Sequence, residues 1–343
     1  MSTSTLTPPE PDAATAPKAS LKASLGGPVR VLLRVHRRPL RIAGAAVLLW
    51  ILGMVGIALW SDRVAEEYAA SGCSFEHTVI GCGDIVRGYL DSQVRLNGVQ
   101  IWTGVLMMAL PAAFGAFIAG PAIARELESG TFRLAWSQSV PPARWLAAKL
   151  LIPAVLAVAT TTALATACSW FWSRHDDSPY ASAWFERAVY GVLGTVPVAY
   201  ALFGLALGAL MGLLVRRTVA AMAATAIGYG LVLMALNTVR SGLWPTRTDV
   251  FPVRSGYEFP SRAWSVAQGY ETSAGERIPV DVCLMSQDDL VDCLASLGSS
   301  ERYHDYHPAS HFWPLQLVET GILLALAALA VFAAFRVLRR LHG

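Results

Sequence analysis

Residues 189–236 read VYGVLGTVPVAYALFGLALGALMGLLVRRTVAAMAATAIGYGLVLMAL, and this stretch decides the fold class of the chain. Its only charged residues are Arg216 and Arg217, which separate two apolar runs, Val189–Val215 and Thr218–Leu236. A helix needs roughly 20 mostly apolar residues to cross the hydrocarbon of a bilayer. The stretch therefore predicts two membrane-spanning helices joined by a short basic loop.

Four further segments pass the same test of length and composition. They are Ile42–Trp60, Val99–Gly120, Leu150–Trp172 and Phe312–Phe335. The chain is 54% hydrophobic and only 15% charged, unlike a typical soluble domain. Because backbone polar groups in lipid must be satisfied within their own segment, the spans are predicted to be helices. We predict an all-α integral membrane protein with six transmembrane helices, the first of which is an anchor and not a cleaved signal peptide.

Basic residues indicate on which side each loop lies, because cytoplasmic loops near span ends carry an excess of lysine and arginine. The long segment 239–311 is too long for this rule to weigh, and its carboxylates outnumber its cations. Both termini are therefore predicted to be cytoplasmic. The short outer loops hold Arg63, Arg87, Arg95, Arg174 and Arg187, whereas the inner loops and tails hold Lys18, Lys22, Arg30, Arg34, Arg37, Arg38, Arg41, Arg125, Arg133, Arg144, Lys149, Arg216, Arg217, Arg336, Arg339 and Arg340.

Four of the five cysteines fall in segments predicted to be outside, where disulfides persist. Cys73 and Cys82 share the first outer loop, Cys283 and Cys293 share the long outer segment, and Cys168 lies within the third span. Other pairings are possible, but local pairing within each loop is the simplest because short loops close most readily. A zinc site is disfavoured, since neither pair has the spacing of a zinc knuckle or a histidine at ligand spacing.

Composition divides the rest of the chain into segments. Residues 1–27, rich in Ser, Thr, Pro and Ala, are predicted to form a disordered cytoplasmic tail. Residues 28–41 mix apolar and basic positions, which suits either an amphipathic membrane-surface helix or a basic flank that only sets orientation. The remaining segments are 42–238 with helices 1–5, an outer loop at 61–98 and a cytoplasmic loop at 121–147, then the extracellular segment 239–311, and 312–343 with helix 6 and a basic cytoplasmic tail.

The fourth span carries small residues at regular spacing. Gly204, Gly208 and Gly212 recur at four-residue intervals and so share one helix face. Such faces let helices approach closely, and this one has two interpretations: a dimer interface, or the ordinary abundance of glycine in membrane helices.

The loop between the second and third spans is the most informative part of the sequence. Residues 124–149 read ARELESGTFRLAWSQSVPPARWLAAK. Gly130 can end a charged helical turn, Thr131 can cap a second short helix bearing Phe132 and Trp136, and the double proline that follows ends that helix. The alternatives are a rigid element that docks in a groove on a partner and an ordinary solvated cytoplasmic loop.

This loop resembles that of the type-2 ATP-binding-cassette (ABC) export permeases. The shared features are the Glu-x-Glu-x-Gly-Thr core at 126–131, the Pro-Pro-x-Arg turn at 141–144 and the lysine that enters the next span. The resemblance extends over nearly the whole chain, including the long outer segment before the last span and the sequence HPASHFW at 307–313. It implies that the loop is a coupling helix seated in a nucleotide-binding subunit, with contacts made or shaped by Glu126, Glu128, Gly130, Thr131, Phe132 and Trp136.

The resemblance also implies what lies outside this chain. No Gly-x-x-x-x-Gly-Lys-Ser/Thr phosphate loop occurs in the sequence, so ATP hydrolysis is expected in a separate ABC ATPase subunit that holds ATP and Mg²⁺. No cofactor and no catalytic residue are expected here. The expected partners are that ATPase, membrane lipid and a second permease in a homodimer or heterodimer, without nucleic acid. The expected location is the bacterial inner membrane.

Glu319 and Thr320 lie early in the last span and are candidates for a translocation path, because intramembrane acids are costly and often functional. The alternative is a carboxylate near enough to the interface to reach water. His304, His307 and His311 have helical spacing that could collect a metal, but an interfacial aromatic belt is favoured. An intramembrane enzyme is disfavoured because Glu319 stands alone. The alternative function is a non-transporting receptor or scaffold with a disulfide-tied outer segment.

Overall fold

Six helices long and apolar enough to span a membrane are present in the computed structural model, which describes residues 37–74, 81–133, 141–175, 181–255, 257–283 and 290–342. This confirms the six predicted spans. The helices are α1 (Arg37–Ala70), α2 (Gly83–Ala113), α3 (Gly120–Ser129), α4 (Pro142–Ser173), α5 (Arg187–Tyr190), α6 (Val196–Val215), α7 (Thr218–Val239), α8 (Leu290–Ser296) and α9 (Phe312–His342).

The described residues divide into two units. The first unit ends at Ala46, and its described part is residues 37–46, which begin α1. The second unit extends from Val47 and contains the remainder of the elements. The predictions for the tail 1–27, for most of 28–41 and for Trp136 lie outside the described residues.

The second span is composite. α2 passes into a π-helix, Phe114–Ala119, and this continues into α3, so that one candidate span runs from Gly83 to Ser129. Pro111 lies inside α2, three residues before the hydrogen-bonding pattern changes. Short π-helical segments within α-helices are rare and are frequent at functional sites. The π-helix here faces the glycines of α6.

The glycine face of α6 packs within the chain. A Cβ at Gly204 would overlap the carbonyl of Pro111, and a Cβ at Gly208 would overlap the carbonyl of Gly115. Gly212 makes the same kind of close approach to the second span. These glycines therefore allow the second and fourth spans to lie nearly backbone to backbone, and this face is an intramolecular interface.

Several helices differ from the predicted spans at their ends. α3 ends at Ser129 and α4 begins at Pro142, so the predicted loop 121–147 is helical at both ends. α6 begins at Val196 and not at Val189, because the chain turns through 191–195, where Gly194 has a φ of +66°. The helices α1 and α2 extend to Ala70 and from Gly83, so most of the predicted outer loop 61–98 is helical. Helical hydrogen bonding continues past the apolar run that marks the hydrocarbon, which composition alone does not reveal.

The segment between the fifth and sixth spans contains a four-stranded antiparallel sheet in addition to the helices of the predicted all-α protein. The strand order is β1-β4-β2-β3. Tyr270, Cys283 and Leu294 form a small apolar core beneath it. The strands are β1 (Arg247–Pro252), β2 (Trp264–Thr272), β3 (Arg277–Pro279) and β4 (Ser299–His307).

Two disulfides close short loops. Cys73 joins Cys82 beside the start of α2, with their Cα atoms 5.7 Å apart. Cys283 joins Cys293 of α8, with their Cα atoms 5.9 Å apart. These are the local pairs that the sequence analysis favoured as simplest. Cys168 of α4 is a free, buried cysteine.

Candidate functional site

Glu126 lies near the end of α3 and fastens this end of the second span to the start of the third. Its Oε2 accepts a hydrogen bond from Trp145 Nε1 at 3.0 Å, and its Oε1 forms an ion pair with Lys149 Nζ. Lys149 Nζ also donates to the carbonyl oxygen of Ala122 at 2.9 Å. The side chains of Glu126 and Lys149 keep 35% and 21% of their surface exposed, so the pair lies at the edge of the protein.

Glu128 fastens the same end of α3 to the fifth span. Its Oε2 accepts hydrogen bonds from the backbone N–H of Thr218 at 3.0 Å and from the Thr218 hydroxyl at 2.7 Å. Thr218 is the first residue of α7, whose first N–H groups have no acceptor within the helix. The carboxylate therefore caps α7 from a different part of the chain, and its negative charge suits the positive end of the helix dipole.

Local sequence explains why α3 stops here. Gly130 ends α3 in the left-handed conformation with a φ of +74°, which glycine adopts without steric cost. The hydroxyls of Ser129 and Thr131, on either side of Gly130, lie 2.9 Å apart. Pro141 and Pro142 then begin α4, where a missing N–H costs nothing. We call Glu126, Glu128, Trp145, Lys149 and Thr218 the loop clamp.

The predicted loop residues occupy distinct positions around the clamp. Glu126 and Glu128 belong to it, and Gly130 ends the helix that carries them. Thr131 is exposed, and the Phe132 ring lies beneath the Arg133 guanidinium at 5.9 Å. Sequence reasoning did not identify Trp145 or Thr218 as partners. The spacing of Trp145 and Lys149, four residues apart on one helix face, was the signal available for Trp145.

Glu319 lies in a second polar site, at the opposite end of the helices. Arg240 Nε donates to Glu319 Oε2 at 2.9 Å, and Arg240 Nη2 donates to Oε1 at 3.2 Å. The Tyr200 hydroxyl donates to Oε1 at 2.9 Å, and the Arg240 guanidinium stacks 4.0 Å from the centre of the Tyr190 ring. Glu319 has no exposed side-chain surface and Arg240 has 3%.

Gln316, one turn before Glu319 in α9, joins this site to the start of α6. Its Oε1 accepts from the backbone N–H of Val196 at 3.1 Å, and its Nε2 donates to the Tyr190 carbonyl at 3.1 Å. The Thr320 hydroxyl lies 2.7 Å from that of Thr195. Gln316, from another span, thus provides a hydrogen-bond acceptor for a backbone N–H in the first turn of α6. We call Tyr190, Tyr200, Arg240, Gln316 and Glu319 the buried polar network.

The network changes two interpretations of Glu319. The carboxylate does not reach water, because the surrounding side chains enclose it completely. It also does not stand alone, since Arg240 provides a bidentate partner 79 residues earlier in the chain. Sequence reasoning missed Arg240 because it lies beyond the predicted end of the fifth span. The sequence pattern that could have identified Arg240 was an arginine about one helical turn after the predicted end of the fifth span, in a chain whose last span carries an acid in need of a partner.

The three histidines do not share a helix face. His304 and His307 lie on β4, and only His311 precedes α9 directly. His307 Nε2 donates to the Ser241 carbonyl at 3.0 Å, so its Nδ1 accepts from His311 Nδ1 at 3.0 Å. Within the described part of the chain, no group of three or more histidine, cysteine or carboxylate side chains is arranged to hold a metal.

The six spans define a multi-pass membrane protein. The end of its second span is bonded to the starts of the third and fifth spans. The model of the ABC-2 membrane transporter related family matches residues 43–240, more than half of the chain, and the chain therefore belongs to that family. This confirms the resemblance drawn from the loop and makes the chain a component of membrane transport. No curated protein and no solved structure matches it. The match includes the whole loop clamp and ends at Arg240.

Proposed function

We propose that this chain is the membrane-spanning permease subunit of an ABC exporter, that it forms the translocation path, and that it couples to a separate ATPase subunit. The family and the six spans support the first part. The path is proposed to form between this chain and a second permease, either a copy or a paralogue. The proposed location is the bacterial inner membrane, with both termini in the cytoplasm.

The loop clamp is the observation that carries the coupling. The two helices that flank this loop, α3 and α4, are bonded to each other through Glu126, and α3 is also bonded to the first turn of α7 through Glu128. The apolar side of α3 packs as well, since Ile123, Leu213 and Leu338 belong to one buried cluster. A force on the loop therefore acts on several spans together, as conversion of ATPase closure into movement of a path requires.

The exposed residues near the clamp provide the surface for the partner. Arg125, Thr131 and Arg133 are exposed, whereas Glu126 is bound by α4. We therefore assign Glu126 and Glu128 to shaping the coupling loop, and the exposed side chains with Phe132 to contacting the ATPase. ATP and Mg²⁺ bind in that subunit, because this sequence has no phosphate loop to cradle them.

Co-purification and ATPase assays of the reconstituted complex test this proposal. A candidate ATPase with a phosphate loop, encoded in the same genome, is assayed with wild-type permease, Glu126→Gln and Glu67→Gln. Glu67 is an exposed carboxylate at the far end of α1 and serves as the matched control. We expect the wild type and Glu67→Gln to bind the ATPase and to change its rate of ATP hydrolysis. Glu126→Gln should bind the ATPase without changing that rate.

A negative result has a defined meaning. If no phosphate-loop subunit co-purifies, and if Glu126→Gln behaves like Glu67→Gln in every assay, the coupling role is wrong. The receptor or scaffold interpretation would then replace it, since that function requires no ATPase partner.

A further inference from the structure

Exposed arginines surround the loop clamp. Arg125, Arg144 and Arg217 each immediately precede a clamp residue in the sequence. Because the clamp bonds α3 to the starts of α4 and α7, it brings these three cations to one end of the protein. Arg133 follows α3, and Arg216 adjoins Arg217 in the turn between α6 and α7. All five are exposed, and we call them the basic face.

The carboxylates at this end of the helices do not neutralise the basic face. Between residues 121 and 149 the only acids in the sequence are Glu126 and Glu128. Glu126 is paired with Lys149, and Glu128, which is bonded to Thr218, offsets at most one of the five charges. Within the described residues, none of the five arginines forms an ion pair. The face therefore presents a net positive charge to its surroundings.

The helices that flank the loop extend beyond the membrane surface. α3 continues nine residues past the apolar run that ends at Gly120, and α4 begins eight residues before the run that starts at Leu150. These extensions are about 12–14 Å long, whereas each headgroup layer is about 5–8 Å thick. α6 has 20 residues, about the thickness of the hydrocarbon, so the turn that follows it lies at headgroup level. The basic face therefore rises from the headgroups into the adjoining solution.

The backbone at Arg216 gives a second indication that the side chains of this face have a use. Arg216 ends α6 in the left-handed conformation, with a φ of +55°. Helices commonly end in this conformation with glycine, because a residue with a side chain is strained there. Orientation of the chain in the membrane requires positive charge near the span ends, but it does not require an arginine at this strained position.

The charge and the height of the basic face select the chemistry of its partner. We propose that the basic face docks against an acidic surface of the ATPase subunit. This inference rests on the proposed function, and it adds the sign of the contact and the participation of α4 and of the turn between α6 and α7. A protein partner is favoured over lipid because the ends of α3 and α4 stand beyond the headgroups.

Attraction between opposite charges accelerates association, and salt weakens it by screening. Charges at the rim of an interface act mainly on the association rate. The chain is therefore immobilised in nanodiscs of zwitterionic phosphatidylcholine, and a candidate ATPase with a phosphate loop, encoded in the same genome, is passed over it. We expect the association rate to fall at least about tenfold between about 0.05 and 0.5 M salt.

Glutamine variants assign the attraction to the basic face. Arg125→Gln combined with Arg144→Gln should lower the association rate severalfold at low salt and weaken its dependence on salt. Arg63→Gln combined with Arg87→Gln is the matched control, because it removes the same charge from two exposed arginines at the far ends of α1 and α2. This control should match the wild type.

Charge reversal separates attraction from structural damage. Arg125→Glu combined with Arg144→Glu should slow association further than the glutamine variants and nearly abolish its salt dependence. Structural damage alone would lower the rate by the same factor at every salt concentration, and that result would contradict the proposal.

The remaining outcomes separate this inference from the proposed function. If the ATPase binds at a rate that salt does not change, or if the glutamine variants match their control, the basic face is not the docking surface and the proposed function stands. Failure of the ATPase to bind the wild type at any salt concentration contradicts both. If the arginine changes act only in nanodiscs that contain anionic phosphatidylglycerol, the face binds lipid headgroups and the inference is wrong.

Discussion

The loop clamp and the buried polar network both rest on carboxylates, but the two sites differ in their exposure to solvent. Glu126 keeps about a third of its side chain exposed, whereas Glu319 has no exposed surface. An exposed ion pair contributes roughly 0–1 kcal/mol to stability, because water screens it and competes for its hydrogen bonds. A buried pair contributes little net stability, yet removal of one partner is costly. Rearrangement of the clamp therefore costs little, whereas disruption of the network costs much.

The largest effect is expected from Glu319→Gln. This change leaves the Arg240 guanidinium buried without its countercharge, and the cost of breaking such a pair is about 3–5 kcal/mol. We expect a large fall in the temperature at which the purified protein loses its monodisperse state on heating. The double variant Glu319→Leu with Arg240→Met removes both charges and should recover most of the loss. Equal stability of wild type and Glu319→Gln would show that the pair is not closed in the membrane.

A smaller effect is expected at the glycine face that joins the two sites. Gly208→Ala places a methyl group against the carbonyl of Gly115, and overpacking of this kind costs about 1–3 kcal/mol. Gly230→Ala in α7 is the control, because a Cβ there has nothing within 4 Å and helix propensity favours alanine by about 1 kcal/mol. The same heating assay should place the two variants on opposite sides of wild type. A neutral Gly208→Ala would mean that the second and fourth spans are not closely packed.

The clamp itself should contribute only modestly to stability. Thr218→Val removes the hydroxyl that donates to Glu128 and keeps the backbone N–H bond, so we expect only a small loss of stability. Thr218→Ser retains the hydroxyl and should match wild type. Hydrogen exchange at the first turn of α7 measures the difference. Faster exchange in Thr218→Val than in Thr218→Ser supports the cap, and identical exchange in both contradicts it.

The smallest effect is a pH dependence in the sheet. Burial lowers the pKa of His304 below its ordinary value, although Asp249 and Asp305 nearby act in the opposite direction and Arg302 acts with burial. Its Nδ1 is buried and has no hydrogen-bond partner, so protonation there adds an unpaired N–H. The unfolded chain binds this proton as pH falls through about 6.5, before the folded chain does. The contribution of neutral His304 to folding stability is therefore complete above that pH and is lost as the pH falls below it.

The variant His304→Gln isolates this dependence. We expect the wild-type unfolding temperature to fall more between about pH 7.5 and pH 5.5 than that of His304→Gln. An equal fall in both proteins would assign the dependence to other groups.

Sequence predicted the spans because membrane helices follow from apolar continuity, a property local to each segment. The same continuity hid Arg240, since the apolar run ends at Leu236 while the helix and a following 3₁₀ turn extend to Gly242. Its pairing with Glu319 joins residues 79 positions apart and depends on how α7 and α9 both pack against α6. No local pattern determines such a contact.

The sheet escaped prediction for a different reason. β4 reads SSERYHDYH, a polar strand whose histidines and tyrosines resemble an interfacial belt. The residues of β4 are buried because the strand pairs with β1 and β2, and both of these strands are distant from it in sequence. In the loop, by contrast, Gly130 and the double proline determine the ends of α3 and α4 through backbone geometry alone. The positions of Glu126 and Glu128 on the loop were therefore predictable, although their partners were not.

A charge exchange across the clamp tests the central claim most directly. The measurement is the ATPase rate of the reconstituted complex with Glu126→Lys, with Lys149→Glu and with the two changes combined. We predict that each single change uncouples the ATPase and that the combination restores much of the coupling. Two bonds stay lost in the combination: the one from Trp145, which a lysine cannot accept, and the one to the Ala122 carbonyl, which a glutamate cannot donate. Coupled activity in both single variants, or a combination no better than either single change, would contradict the account.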